Sequence, residues 1–475
     1  MAMGRFSRRR ARALALAGVA LPTVYVLYFR IGLPSWNFDE YFYAIYGRRF
    51  LEGHFDQDVG VHPYFGTYLL GILPATGSTG TTAVRLAPAT AALATGALLF
   101  LFARRLAGYW AGLLALALWA LLPHASVMDG VDIAAIKIER FGLLDALMEL
   151  FLVAALYAGW RWTEGKRWAW AVATGVCAGL ATASKLVGAL VLLPIVVLSI
   201  VKPRLDRRRL AQTIAVVILC PVVLLMSFLP VLPEAPDRLR NMLDLARAHE
   251  ALGHAVVVGG DLYEQDPPWW SNAWFMWEGM GPFATIGLVL AAVAGVLLAD
   301  RRLALFLGLA VAVPFLCLAT VYGIALPHYY FIWVAPLTVL AALGLRRLFV
   351  AGGARRAFAA IPAFLLAAAA VGTVINVTSL QVGDYRLAAE ELDRAGVDGR
   401  ILVSGFAPIL AAYLEEGELA DRPASDVDAV VVDRAQSRRT GDPRGVQRWV
   451  RLRRDEFDRR VVDHLTVFIR RDTVR

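Results

Sequence analysis

Long apolar stretches, separated by short basic connectors, make up most of the chain before residue 378. Many of these stretches approach 20 residues, the length that an α-helix needs to cross a hydrocarbon core of roughly 30 Å. The pattern therefore predicts a polytopic α-helical membrane protein. We expect about eleven transmembrane helices, over residues 14–31, 82–102, 109–123, 141–160, 168–183, 186–201, 214–232, 283–299, 303–322, 330–345 and 358–375.

The charges of the connectors predict how these helices are oriented. Arginine and lysine concentrate in alternate connectors, such as 104–105, 202–209 and 346–356. Because basic loops are retained on the cytoplasmic side of membranes, we expect a multi-pass cell-membrane protein with a cytoplasmic amino terminus and an extracytoplasmic carboxyl terminus. Two large loops, 34–81 and 233–282, then face outward.

The composition changes after residue 377, where charged residues of both signs become frequent and short helix-like and strand-like patterns alternate. These patterns predict helices over 385–395, 409–415 and 444–457, and strands over 400–404, 428–432 and 461–469. We therefore divide the chain into a transmembrane domain, residues 1–377, and a small soluble extracytoplasmic α/β domain, residues 378–475.

The overall composition excludes several classes of protein. With 58% hydrophobic and only 18% charged residues, the chain is neither a soluble globule nor a disordered protein. The net charge of +9 would favour nucleic-acid binding in a soluble protein. Basic cytoplasmic loops account for it here, so we expect the lipid bilayer as a partner and no nucleic acid.

The first candidate site residues follow the first predicted span. Asp39 and Glu40 stand at the membrane boundary, where a carboxylate is costly and often functional. Alternatively, Asp39 caps the next helix, and the negative charge of Glu40 in its first turn interacts favourably with the helix dipole. His62 and Arg85 lie in the same outer region. Arg85 needs an anionic partner, which a lipid phosphate would supply, unless its side chain extends to the lipid headgroups.

Further candidates lie in later outward segments. Asp132 is one of several charged residues before the fourth predicted span, and Asp145 beside Arg140 is most simply a structural ion pair. Lys185 stands alone between two apolar helices, which predicts an anionic partner or ligand. Two tryptophans and a histidine complete the set: Trp269, Trp270 and His328. Tryptophan faces pack on sugars and polyprenyl chains, although interfacial aromatic belts look the same.

Four pieces, in chain order, resemble a known group of enzymes. They are the Asp39-Glu40 pair, Arg85, the stretch ERFGLLD at 139–145 and the stretch ASKLVG at 183–188. Together they resemble the GT-C integral membrane glycosyltransferases, nearest the protein O-mannosyltransferase and lipid A aminoarabinose transferase group. The resemblance covers roughly residues 14–375.

The resemblance implies transfer of a sugar from a polyprenyl-phosphate donor to an acceptor protein, lipid or cell-envelope glycan, at the outer face and with inversion. It implies that Asp39, or Glu40 as second choice, is the base, and that Arg85, Lys185 and Arg140 hold the donor phosphate. No cofactor is then required, since cationic side chains suffice, although a divalent metal remains an alternative. The other functions considered are a transporter or lipid flippase and a non-catalytic cell-envelope assembly protein.

Overall fold

The protein has a helical part that ends with a helix at Thr378 and a smaller sheet-containing part that begins at Asp384. The architecture was obtained as a computed structural model. It describes residues 2–55, 60, 62–78, 80–125, 137–165, 167–201, 206–252, 256–321, 325–405, 407–414, 417–434, 445–462 and 464–473. The predicted boundary between residues 377 and 378 falls in the last turn of the final long helix.

The helical part is built from long apolar helices that pack side by side. Its helices are α1 (Ala2–Tyr28), α2 (Phe38–Leu51), α3 (Tyr64–Ala75), α4 (Thr81–Ala107), α5 (Tyr109–Leu121), α6 (Leu144–Gly165), α7 (Trp168–Ser184), α8 (Leu192–Ile200), α9 (Arg207–Met226), α10 (Ala235–Leu252), α11 (Ser271–Leu298), α12 (Arg301–Thr320), α13 (Phe331–Ala351) and α14 (Gly353–Thr378). A short hairpin of β1 (Val256–Val258) and β2 (Asp261–Tyr263) follows α10.

A helix lies at each of the eleven stretches predicted to cross the membrane, which confirms the polytopic helical architecture. Seven helices in the described residues are long and apolar enough to cross by length and composition, namely α1, α4, α9, α11, α12, α13 and α14. Helices α5, α7 and α8 are apolar but shorter. Helix α6 carries Asp145, Glu149 and Arg161. The number of crossings therefore stays a prediction.

Both large predicted outer loops contain helices: α2 matches the helix expected after Asp39, whereas α3 and α10 were not predicted. Helices α2 and α3 pack against each other within 34–81, and α10 lies within 233–282. The close approach of α2 and α3 depends on two glycines, because a Cβ on Gly47 or Gly71 would meet the opposite backbone at 2.2 or 2.1 Å.

The sheet part has five strands in the order β4-β3-β5-β7-β6. Its elements are α15 (Asp384–Arg394), β3 (Arg400–Ser404), α16 (Ala407–Ala411), β4 (Glu418–Ala420), β5 (Val427–Asp433), α17 (Val446–Leu452), β6 (Phe457–Val462) and β7 (Leu465–Arg470). Strand β3 pairs in parallel with β4 and β5, and β7 pairs in antiparallel with β5 and β6.

The predicted α/β domain is confirmed, but two of its predicted elements are wrong. The single strand predicted over 461–469 is an antiparallel hairpin of β6 and β7, and the helix predicted over 444–457 ends at Leu452. The reason is that β6 is an edge strand. Its exposed Asp458 and Arg459 gave this stretch the polar character of a surface helix.

The sheet part packs directly on the segment that leads into α2. Trp36, Ala44 and Val84 share a hydrophobic cluster with Tyr385 of α15. The Trp36 backbone N–H donates to Tyr413 Oη at 3.0 Å. These contacts fix the position of the first turn of α2, which contains Asp39 and Glu40.

Candidate functional site

Glu40 is directed away from any open space by the local structure of α2. Asn37 is the N-cap: its Oδ1 accepts from the Asp39 N–H at 3.0 Å, and Glu40 Oε2 accepts from the Asn37 N–H at 3.1 Å. This reciprocal capping box turns the Glu40 side chain back over the start of the helix. The same geometry leaves Asp39 on a different side of the first turn.

Arg85 and Glu40 form a buried ion pair in which both side chains have 0% exposure. Arg85 Nε donates to Glu40 Oε1 at 2.7 Å, and Nη2 donates to Oε2 at 2.8 Å. The remaining Arg85 N–H groups donate to the carbonyls of Ile31, Pro34 and Ser35 at 2.9, 2.9 and 2.6 Å. All donors of the guanidinium fork are therefore used within the protein.

The backbone of Gly142 completes the coordination of Glu40. Its N–H donates to Glu40 Oε1 at 2.7 Å, so each carboxylate oxygen accepts two hydrogen bonds. In this geometry Arg85 has no donor left for a phosphate and Glu40 has no lone pair left to act as a base. These contacts favour a structural role for both residues over the predicted roles in donor binding and catalysis.

Arg140 is also occupied by the protein itself. It is 1% exposed and donates to the carbonyl oxygens of Val26 and, at 2.6 Å, Phe29, at the carboxyl end of α1. A cation is stabilised at this position by the negative end of the helix dipole. Its Nε is buried without an acceptor among the described residues, so the role of Arg140 as a phosphate ligand stays a prediction.

Asp145 instead pairs with Lys185. The Lys185 Nζ lies 2.9 Å from Asp145 Oδ1 and 3.3 Å from His328 Nε2. Lys185 stands between the end of α7 and the 3-10 helix Leu186–Val191, and Asp145 is in the first turn of α6. Three residues from distant parts of the sequence therefore meet, and the anionic partner predicted for Lys185 is present.

The surroundings of His328 favour its neutral form. Burial lowers its pKa to about 4, and the neighbouring Lys185 charge lowers it as well, against the opposing effect of Asp145. Because Nε2 accepts from the lysine, the neutral ring carries its hydrogen on Nδ1. Nδ1 is buried, and no acceptor for it lies within hydrogen-bonding distance in the structure as described.

Asp39, Tyr43 and His62 lie beside this group. The pKa of Tyr43 is raised well above its usual value, first by burial and then by the charges of Asp39 and Asp145. The Tyr43 and His62 ring centroids are 6.0 Å apart. Asp39 is partly exposed, in contrast to the fully buried Glu40. We name Asp39, Tyr43, Asp145, Lys185 and His328 the central polar group.

The remaining predicted residues are not joined to the central polar group by the described contacts. Trp269 is 65% exposed and contacts Phe315, with ring centroids 6.4 Å apart, while Trp270 contacts Trp274 at 6.2 Å. Asp132 lies outside the described residues. In the described part of the chain, no cluster of three or more His, Cys, Asp or Glu side chains is suited to hold a metal ion.

A buried charge cluster before α6 was not found from the sequence. Glu139 Oε1 lies 2.6 Å from His124 Nδ1. The Lys137 Nζ donates to the carbonyls of Trp119 and Leu122 at 3.0 and 2.8 Å. Since these carbonyls lie at the carboxyl end of α5, the cluster fixes how the chain passes from α5 to α6. Only the unusual Lys137 and Glu139 beside an apolar span could have indicated it.

Comparison with known proteins supports the fold. Residues 61–233 match the family model described as dolichyl-phosphate-mannose-protein mannosyltransferase. No curated protein sequence matches significantly. ArnT from Cupriavidus metallidurans in the apo state has a TM-score of 0.62 at 16% identity, covering 97% of this chain and 98% of that chain.

Two further structures share the fold. The same protein bound to undecaprenyl phosphate has a TM-score of 0.62 at 15% identity, covering 96% of this chain and 97% of that chain. The Archaeoglobus fulgidus oligosaccharyltransferase has a TM-score of 0.55 at 15% identity, covering 89% of this chain and 69% of that chain. The resemblance inferred from the sequence is confirmed: the chain has the GT-C fold of integral membrane glycosyltransferases and resembles the protein O-mannosyltransferase and ArnT group.

Proposed function

We propose that the protein is an inverting membrane glycosyltransferase that moves a sugar from a polyprenyl-phosphate donor to an acceptor hydroxyl at the outer face of the membrane. Its likeness over almost the whole chain to a protein seen bound to undecaprenyl phosphate supports this class of donor. The acceptor belongs to a protein, a lipid or a cell-envelope glycan. Outward placement follows from the basic connectors.

The observation that carries the proposal is the set of donors in the central polar group. Two of the three Lys185 N–H groups are directed at Asp145 and His328, which leaves a third. His328 adds the Nδ1–H, buried and without an acceptor among the described residues. These two donors are suited to the oxygens of a phosphate ester. No metal is needed in the proposed reaction.

The proposed reaction uses this arrangement directly. The acceptor oxygen attacks the anomeric carbon as the bond from that carbon to the phosphate oxygen breaks, and the bonding electrons leave with the lipid phosphate. Lys185 and His328 stabilise the negative charge that develops there. Asp145 orients Lys185 through their hydrogen bond. The proton of the acceptor hydroxyl passes to a carboxylate base.

Asp39 is the proposed base. Its neighbour Glu40 is held by four hydrogen bonds and is inaccessible, whereas Asp39 is partly exposed and close enough to Tyr43 to raise the pKa of that phenol. A partly exposed carboxylate beside a polar pocket can meet an incoming hydroxyl. The capping box therefore separates two adjacent carboxylates into a structural residue and a proposed catalytic residue.

Transfer of label from a radiolabelled polyprenyl-phosphate sugar, in membranes that contain the full-length protein, tests the proposal. We expect Asp39→Asn to lower transfer by about 10²- to 10⁴-fold with an unchanged unfolding temperature. The matched control is Glu52→Gln, which removes an exposed carboxylate just after α2. Full transfer by Asp39→Asn contradicts the base assignment. No transfer by the folded wild-type protein with several donors instead favours a transporter or an assembly protein.

A further inference from the structure

A second buried cationic group lies at the opposite end of α6 from Asp145. Trp160 follows Asp145 by about four helical turns, or about 22 Å. The Arg302 Cζ lies 5.4 Å from the centre of the Trp160 ring. Arg209 is close enough to Arg302 for their charges to repel each other. Helices α9 and α12, which begin at this end, thus bring two cations together.

The guanidinium groups of this second group lack protein partners. Arg209 is 1% exposed, and within the described ranges none of its Nε, Nη1 and Nη2 atoms has a hydrogen-bond acceptor. Nε and Nη2 of Arg302 are also buried without a hydrogen-bond acceptor among the described residues. A buried cation without a partner is strongly disfavoured. This contrasts with Arg85, whose donors all have acceptors.

The nearest carboxylates are already committed to other groups. Asp206 Oδ1 accepts from the Arg209 backbone N–H at 2.7 Å, and Asp300 Oδ1 accepts from the Leu303 N–H at 3.0 Å. Glu164 accepts from Trp160 Nε1 at 3.1 Å. Asp206, Asp300 and Glu164 lower the local positive potential, but none forms an ion pair with Arg209 or Arg302 among the described contacts.

The surroundings give this end a polar centre and apolar walls. Trp162 Nε1 donates to Gln212 Oε1 at 2.9 Å, and both side chains are buried. Trp160 packs on Phe306, with ring centroids 5.8 Å apart. Helix α8 packs against α6, α9 and α12. An anion that reached Arg209 would therefore meet a desolvated guanidinium, where charge-assisted hydrogen bonds are strong.

We propose that Arg209 and Arg302 form a phosphate-binding site separate from the central polar group. The planar forks of two arginines match the oxygens of a phosphate. Because both helices are long and apolar enough to cross a membrane, we expect their amino-terminal ends to lie at headgroup depth. The phosphate is that of an anionic phospholipid or a free phosphate ion.

Lipid retention and thermal stability of the purified full-length chain test this site. The probes are phosphatidylglycerol, phosphatidylcholine and inorganic phosphate, each added to delipidated protein in detergent. The test variants are Arg209→Gln and Arg302→Gln. The matched controls are Arg208→Gln and Arg301→Gln, which remove exposed charges from the adjacent positions. We expect phosphatidylglycerol to raise the unfolding temperature by several degrees in wild type and controls, and by much less in the test variants.

Native mass spectrometry should show one retained phosphatidylglycerol in wild type and both controls, and none in the test variants. A stabilisation by inorganic phosphate that is lost in the same two variants identifies free phosphate as the source. Equal lipid binding by all four variants overturns the proposal, because the attraction is then spread over the basic surface. If Arg209→Gln does not fold, Arg209→Lys and the less buried Arg302→Gln give the same readout.

Discussion

The Glu40–Arg85 pair and the central polar group are both buried charge clusters, but they differ in the hydrogen-bonding capacity that is left. In the pair, the Arg85 donors and the Glu40 oxygens are all used within the protein. In the central polar group, Lys185 retains an N–H, and the buried His328 Nδ1 has no acceptor in the described residues. Burial of charge alone therefore does not identify a binding site; unused donors do.

This difference in unused hydrogen-bond donors guides which of the residues implied by the family resemblance we propose to bind the donor. The sequence pattern treats Arg85, Arg140 and Lys185 alike, as cations near the outer face. In the structure all Arg85 donors have protein acceptors, whereas Lys185 has an N–H to spare and Arg140 has a buried Nε without an acceptor among the described residues. We propose Lys185 as the cation that binds the donor phosphate, because it meets Asp145 and His328 in the central polar group.

Removal of Arg85 should produce the largest change in stability. Arg85→Met leaves the Glu40 carboxylate buried and without its bidentate partner, so we expect the free energy of unfolding to fall by about 3–5 kcal/mol. Chemical denaturation in detergent measures it. The double variant Arg85→Met with Glu40→Gln should recover part of the loss. Unchanged stability, combined with weaker binding of a polyprenyl phosphate, would return Arg85 to the donor site.

Replacement of Lys185 should affect activity more than stability. In Lys185→Gln the amide can still donate to Asp145, but the positive charge at the leaving phosphate is lost. We expect transfer to fall by about 10²- to 10³-fold, measured with the labelled donor. Lys185→Arg, which keeps the charge, should retain more activity than Lys185→Gln. Equal activity of wild type and Lys185→Gln would remove the central polar group from the reaction.

Hydrophobic patterning predicted most of the helical architecture because long apolar stretches have few alternatives to helices in a membrane. Helix α3 was not predicted because it is apolar but only 12 residues long, and α10 was not predicted because charged residues interrupt its apolar face. In the sheet part, β3 was predicted with the correct bounds because it is a continuous buried run. The edge strand β6 was missed because only one of its faces is buried.

The candidate site was only partly predictable from the sequence. Asp39, Lys185 and His328 were named because they lie at the outer ends of predicted spans, but their partners depend on tertiary contacts. Asp145 pairs with Lys185, 40 positions away, and not with its neighbour Arg140. Local sequence cannot decide between such partners, because burial and geometry determine which pair forms.

The pH dependence of stability should distinguish the two clusters further. The pKa of His328 is lowered to about 4 by burial and by Lys185, so the unfolded chain binds a proton there at higher pH than the folded chain. Folded stability should therefore fall as the pH decreases from about 6.5 to about 4, by at most about 3 kcal/mol.

Thermal unfolding of wild type and His328→Gln across this pH range measures that contribution. The variant, which has no titrating ring, should lose less stability on acidification than the wild type. Parallel profiles for the two proteins would contradict a lowered pKa of His328. The ring could then carry hydrogens on both nitrogens. The Glu40–Arg85 pair contains no histidine and should not contribute to the difference.

The smallest expected effect is that of Gly142→Ala. The Gly142 N–H donates a hydrogen bond to Glu40 in the Glu40–Arg85 pair. A Cβ at this position would lie 2.8 Å from Glu40 Cγ and 2.5 Å from Val84 Cγ1, so Gly142→Ala must displace a side chain. We expect a loss of about 1–3 kcal/mol in unfolding free energy, measured by denaturation beside Gly80→Ala, where the added Cβ meets no described atom within 4 Å. Gly80 has a φ of −77°, so the control carries neither crowding nor backbone strain. A Gly142→Ala loss no greater than that of Gly80→Ala would mean that the close approach of Glu40 to this backbone does not hold the pair together.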